Sequence, residues 1–180
     1  AFFILIISGI SRLYLHYFVV YETENYRRIL SSKLVTLIGG SYLDRLRQYQ
    51  KDTLNNIIRS QRKGNKNILL QAATGSGKTV MASAFVKHSI NQNKNVLFLA
   101  HRRELITQCS DKLTEEGVKH GIIMAGESAQ FWHNTQVASI DTLRSRSITN
   151  QKEALPKADL VIIDEAHRCL SNTYLKIIDM

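Results

Sequence analysis

A chain of 180 residues, 44% hydrophobic and 22% charged, has the composition of a globular protein and the length for one domain with a sizeable core. Its 24 Lys and Arg against 15 Asp and Glu give a formal net charge of +9, which favours polyanionic partners, nucleic acid or an anionic membrane surface. Cys109 and Cys169 form no CxxC pair; they are too few thiolates for a structural zinc site and suit a reducing, cytoplasmic compartment.

Residues 1–21 differ from everything after them. Residues 1–10 are almost wholly apolar, but Arg12 and His16 interrupt the run before Val20. A spanning helix wants about 20 predominantly apolar residues, and a central arginine costs about 2.5–3.5 kcal/mol on insertion scales. A signal peptide wants its positive charge ahead of the apolar core, and none precedes it. Two readings stay open: membrane or interfacial contact by residues 1–21, against which the interruptions weigh, and a hydrophobic leader outside the fold. Gly39-Gly40 reads as a breaker, so residues 1–40 are expected to stand apart and residues 41–180 to form the domain.

From Leu43 the pattern becomes orderly. Leu46, Tyr49, Thr53, Leu54, Ile57 and Ile58 recur at helical spacing, and Gly64 ends the run. Ile68–Leu70 predicts a short buried strand, Val80–Ile90 a helix and Val96–Ala100 a second strand. Glu104–Glu116 predicts an amphipathic helix through Leu105, Cys109 and Leu113, stopped by Gly117 in a left-handed cap. Further strands are expected at Ile122–Ala125, Val137–Ile140 and Leu160–Ile163, with a last helix starting at Tyr174–Ile178. Trp132 and His133 read as packing or loop residues without a role. Strands alternating with helices predict an α/β fold, a parallel sheet with helices on both faces.

The stretch Gln71–Thr79, QAATGSGKT, lies between a strand and a helix and has the pattern of a phosphate-binding loop, with Ala72 in place of its first Gly. Gly75 and Gly77 let successive N–H groups, those of Thr74 and Ser76 among them, turn toward one anion. Lys78 brings a point charge to the phosphates and Thr79 a hydroxyl to Mg²⁺. At the end of LVII, Asp164 and Glu165 stand where open α/β sheets place ligands. Alone, the two acids would serve equally well as a helix cap at Ala166. With a phosphate loop upstream, Asp164 reads as a Mg²⁺ ligand and Glu165 as the group that polarises the attacking water.

QAATGSGKT followed by VIIDEAH resembles motifs I and II of superfamily 2 helicases of the DEAH-box kind. LRQYQ at 46–50 is similar to the LRPYQ element before motif I, with Gln48 where proline is usual. LAHRRELITQ at 99–108 resembles motif Ia, and VASIDTLRSR at 137–146 resembles motif Ib. The wording is most similar to bacterial RadD-type repair helicases and type III restriction motor subunits. It covers residues 43–180 and not 1–42.

The resemblance implies a RecA-like P-loop NTPase domain that uses ATP and Mg²⁺, with nucleic acid, DNA before RNA, as partner. Gln50 would bond the adenine edge and Arg47 lie against the base. Lys78, Asp164, Glu165 and His167 would serve hydrolysis, His167 by coupling the nucleotide site to a second motor domain. His101, Arg102, Arg103, Thr142 and Arg144 would hold phosphates of one strand, with Gly126 in a loop on the same face. The motif III Ser-Ala-Thr element and the second RecA-like domain with its arginine fingers are absent from these residues. One partial motor domain, truncated after motif II and incomplete at its C-terminus, is therefore expected.

Overall fold

The computed structural model describes residues 3–8, 45–73, 75–151 and 154–164, and for 3–8 the backbone alone. Apolar runs too short for helices become strands: β1 (Phe3–Ser8), β2 (Asn67–Gln71), β3 (Val96–Ala100), β4 (Gly121–Ile123), β5 (Thr135–Ser139) and β6 (Leu160–Asp164). Segments with helical periodicity become α1 (Gln48–Arg62) and α3 (Arg103–Glu115), and the mostly apolar segment between them becomes α2 (Lys78–Ile90). The strands among the described residues form one sheet in the order β2-β1-β6-β3-β5-β4, and every pairing is parallel.

Parallel sheets survive only when both faces are covered, and β3 and β5 are buried at all five positions. Successive side chains point to opposite faces. Val96, Phe98 and Ala100 therefore join one apolar layer with Leu54 of α1, Phe85 of α2 and Leu113 of α3. Leu97 and Leu99 join the other with Ile140, Leu143 and the half-buried Ile148, Leu155 and Ala158. The helix α2 packs against α1, α3 and β3 and buries residues around most of its circumference, as a helix enclosed by neighbours must. Gly117, at φ +70, ends α3 as its left-handed position predicts, and the Val118 N–H reaches back to Leu113 O at 2.9 Å.

The motif Ib stretch departs from its expected pattern. The strand begins earlier and stops at Ser139, whose hydroxyl accepts the Thr142 N–H at 3.4 Å and caps a short helix, α4 (Ile140–Leu143). A π-helical turn, Arg144–Thr149, continues it. Polar Gln136 is admitted to a buried strand because its amide donates to Gln130 O and His133 O, both at 2.8 Å.

Of residues 1–40, Phe3–Ser8 lies inside the sheet, paired with β2 on one side and β6 on the other, so that Ile7 stands opposite both Leu70 and Asp164. The boundary expected near Ser41 and the last helix expected at 174–178 lie outside the described residues. No helix among the described residues is long and apolar enough to cross a membrane.

Candidate nucleotide site and basic edge

With every strand parallel, all carboxyl ends open on one edge, where this fold class binds ligands. The phosphate loop leaves β2 there, His101–Arg103 leaves β3, Met124–Gly126 leaves β4, α4 leaves β5, and Asp164 closes β6.

Gly75 and Gly77 take φ of +78 and +77, left-handed values that admit glycine and strain other residues. A Cβ at Gly77 would lie 2.5 Å from Gln50 Nε2, so any larger residue would displace the Gln50 amide. Gln50 is buried and fully engaged: Oε1 accepts the Arg47 N–H at 3.0 Å, and Nε2 donates to Ser76 O at 3.2 Å. The Tyr49 hydroxyl donates to the same carbonyl at 2.7 Å. Two side chains of the first turn of α1 thus tie down the loop.

Lys78 opens α2 and lays its ammonium on the loop's own carbonyls, Ala73 O at 3.1 Å and Ala72 O at 3.4 Å. No acid occupies the first turn of α2, so its positive end is uncompensated. Ser76 Oγ is buried without a partner among the described residues. Thr79 and Asp164 are half-buried. Two inter-strand spacings, about 10 Å, separate the β2 and β6 ends.

Beneath the site, Cys109 of α3 has its thiol pushed up to about 12, by burial first and by the Asp164 carboxylate second. It therefore stays protonated and inert.

On the basic edge, His101 Nδ1 lies 3.4 Å from Asp141 Oδ2, joining the β3 and β5 exits. Arg102 and Arg144 are exposed. Arg103 Nη2 donates to Ala125 O at 2.8 Å, and Arg146 Nη2 donates to Glu127 O at 3.0 Å and Met124 O at 3.3 Å. Both guanidiniums hold the turn in which Gly126 sits exposed at φ +87. Thr142 is only 8% exposed and turned inward. Thr74, Glu165 and His167 lie outside the described residues.

Tyr49, Asp141 and Arg146 are not among the site residues expected from the sequence. Tyr49 carried one usable signal, since it adjoins Gln50 in LRQYQ and shares its turn. Nothing local links Asp141 to His101 or Arg146 to Glu127, because those contacts exist only once strands are side by side.

Residues 44–180 match the family described as type III restriction enzyme, res subunit. The chain belongs to that family. It is 34% identical over 145 residues to the candidate ATP-dependent helicase IRC3 of Saccharomyces cerevisiae, covering 74% of this chain and 20% of that protein. It is 30% identical over 142 residues to the candidate mitochondrial ATP-dependent helicase irc3 of Schizosaccharomyces pombe, covering 75% and 23%. A type I restriction enzyme, the EcoKI endonuclease subunit of Escherichia coli K12, is 31% identical over 135 residues, covering 68% and 12%. The res-subunit match takes in the loop, both basic exits and Asp164, and the parallel α/β sheet is consistent with a helicase-type domain. The chain spans about a fifth of the length of the two yeast relatives.

Proposed function

We propose that this chain is the ATP-binding half of a DEAH-type, nucleic-acid-dependent ATPase that couples hydrolysis to movement along DNA or to its unwinding. The observation that carries the reading is the phosphate loop: two left-handed glycines, Lys78 at the start of an uncompensated helix, and Asp164 on the same edge. The residues fit a nucleotide. Ser76 Oγ is an orphaned buried hydroxyl, and the Lys78 ammonium rests on backbone carbonyls that a phosphate oxygen would outcompete. Thr79 and Asp164, both half-buried on this edge, are the residues that would hold Mg²⁺.

In this reading Lys78 and the N–H groups of 74–79 hold the phosphates. Bound Mg²⁺ neutralises charge on the phosphate oxygens. Arg47 lies against the adenine and Gln50 meets its edge once released from Ser76 O, Glu165 orients water, and His167 relays the nucleotide state to a second RecA-like domain. Arg102 and Arg144, exposed at strand exits, hold strand phosphates, with His101, Arg103, Thr142 and Gly126 shaping the same edge. Residues 41–180, with β1 completing their sheet, make up a partial first motor domain. Free, buried Cys109 suits a reducing, cytoplasmic-type compartment. The similarity to a type I restriction subunit favours DNA and supports a second reading, a translocase that moves without unwinding.

Thermal melting with ATP–Mg²⁺ tests the proposal, since a ligand bound only by the folded state raises Tm. The parent chain is expected to shift and Lys78→Ala to lose most of the shift. An equal response from both would remove Lys78 from the phosphates.

A further inference from the structure

At the opposite edge, where the strands begin, a cavity of about 460 Å³ opens between the end of α2, the turn after α3 and the approach to β5. Lys87, Ile90, Val118, Lys119, Trp132 and Thr135 are among its lining residues. Ile90 and Val118 are half-buried against the core and give it an apolar side. Trp132 is 72% exposed, and its chain neighbour Phe131 is 40% exposed. Trp132 thus lines the cavity with most of its indole accessible to a ligand.

Polar groups sit around this apolar centre. Thr135 is 1% exposed, and its hydroxyl has no partner among the described residues. Glu116, the acid in the wall, is neutralised by Lys87, which lies 3.7 Å from its carboxylate and donates to its carbonyl at 3.2 Å. Lys119 is exposed at the rim.

We propose that this cavity takes one nucleotide of a single-stranded nucleic acid, with the base against Trp132 and the flanking phosphate toward Lys119. The volume lies within the range of small-ligand sites. Stacking on an indole needs no particular base, and a cationic rim tracks the backbone. The charge balance selects a polyanion over an acid-seeking basic partner: the chain is +9, and the wall's acid is already neutralised. The site is independent of the ATP reading, because it lies at the edge away from the phosphate loop.

Trp132 is the single tryptophan, so its fluorescence reports this cavity alone. The whole chain is titrated at low salt with an oligothymidylate of about 12 nucleotides. Saturable quenching is expected, and it should persist in Lys78→Ala and in Arg102→Ala/Arg144→Ala. Lys119→Glu should keep the far-UV spectrum, weaken the quench several-fold and flatten the salt dependence by about 0.7 in log–log slope. Trp132→Ala, read by anisotropy of labelled oligonucleotide in the Arg102→Ala/Arg144→Ala background, should lose roughly tenfold or more in affinity. The proposal fails if bound oligonucleotide leaves the indole unquenched, or if Arg102→Ala/Arg144→Ala abolishes the quench. It also fails if Lys119→Glu changes nothing, or if polyglutamate quenches as well as oligothymidylate, which would make the occupant an acidic protein.

Discussion

Gly77 carries two constraints that Gly75 does not share. Both glycines are left-handed, but a Cβ at Gly75 meets nothing within 4 Å, whereas one at Gly77 meets the Gln50 amide. Each substitution to alanine should cost roughly 1–2 kcal/mol for backbone conformation alone. Gly77→Ala should cost about a further 1 kcal/mol, because Gln50 must give up its bond to Ser76 O. Chemical denaturation of both variants measures the difference, which should shrink when Gln50→Ala is added to Gly77→Ala. The arginines divide in the same way. Arg102→Ala and Arg144→Ala should each flatten the salt dependence of single-strand binding by about 0.7 in slope without lowering Tm. Arg103→Ala and Arg146→Ala, which release the 124–127 turn, should lower Tm and leave the slope nearly intact. The reverse pattern would place the phosphates on Arg103 and Arg146.

Among the elements, α2 has a pH response built into its last turn. His88 is buried against Phe85, and its pKa is lowered to about 4 by burial first, then by Lys94 and Arg62. In the unfolded chain the ring titrates near 6.5. Between those values the unfolded state binds the extra proton, so this contribution is complete above about pH 6.5. It is lost as pH falls toward 4, at up to about 1.4 kcal/mol per pH unit. Denaturation midpoints of His88→Gln and the parent, measured from pH 7 to pH 4, should diverge at neutral pH and converge in acid. Parallel curves would mean that His88 is not buried neutral.

The same scale shows what the residue string made legible. β3, α3, its Gly117 stop and the LVIID strand follow from uninterrupted apolar runs and a 3.6-residue period, signals that tertiary contacts reinforce. The end of β5 did not, because Ser139 competes for the chain by capping a helix, and Gln136 enters the core only through carbonyls of 130 and 133. For the site, the loop was legible because its glycines and lysine act locally. The ties from Tyr49, Arg103 and Arg146 depend on which strands become neighbours, and no local pattern encodes that.

For the whole molecule, the described residues bring the phosphate loop, Lys78 and Asp164 to one edge of the sheet. Developing charge on the γ-phosphoryl group needs donors on more than one side, and the loop, Lys78 and Mg²⁺ supply one. Among the described residues Arg103 and Arg146 are engaged with the 124–127 turn, and Arg102 and Arg144 are the ones assigned here to strand phosphates. An arginine finger is worth about 10³–10⁵ in rate. The chain should therefore bind ATP yet release phosphate near background, with little stimulation by saturating single strand. Robust stimulated turnover in a steady-state phosphate assay would show that a second copy supplies the missing cation.

The position of β1 bears on how such a chain reaches its fold during synthesis. Phe3 stands opposite Leu160, so one side of an early-made strand waits for nearly the last described residues before its ladder closes. β2 can pair with the other side soon after it emerges, yet the side meant for β6 stays unsatisfied while β3, β4 and β5 are still being added. Pairings so distant along the chain form slowly, and an open strand edge is a template for wrong partners. Chains stalled before Leu160 would carry that edge exposed.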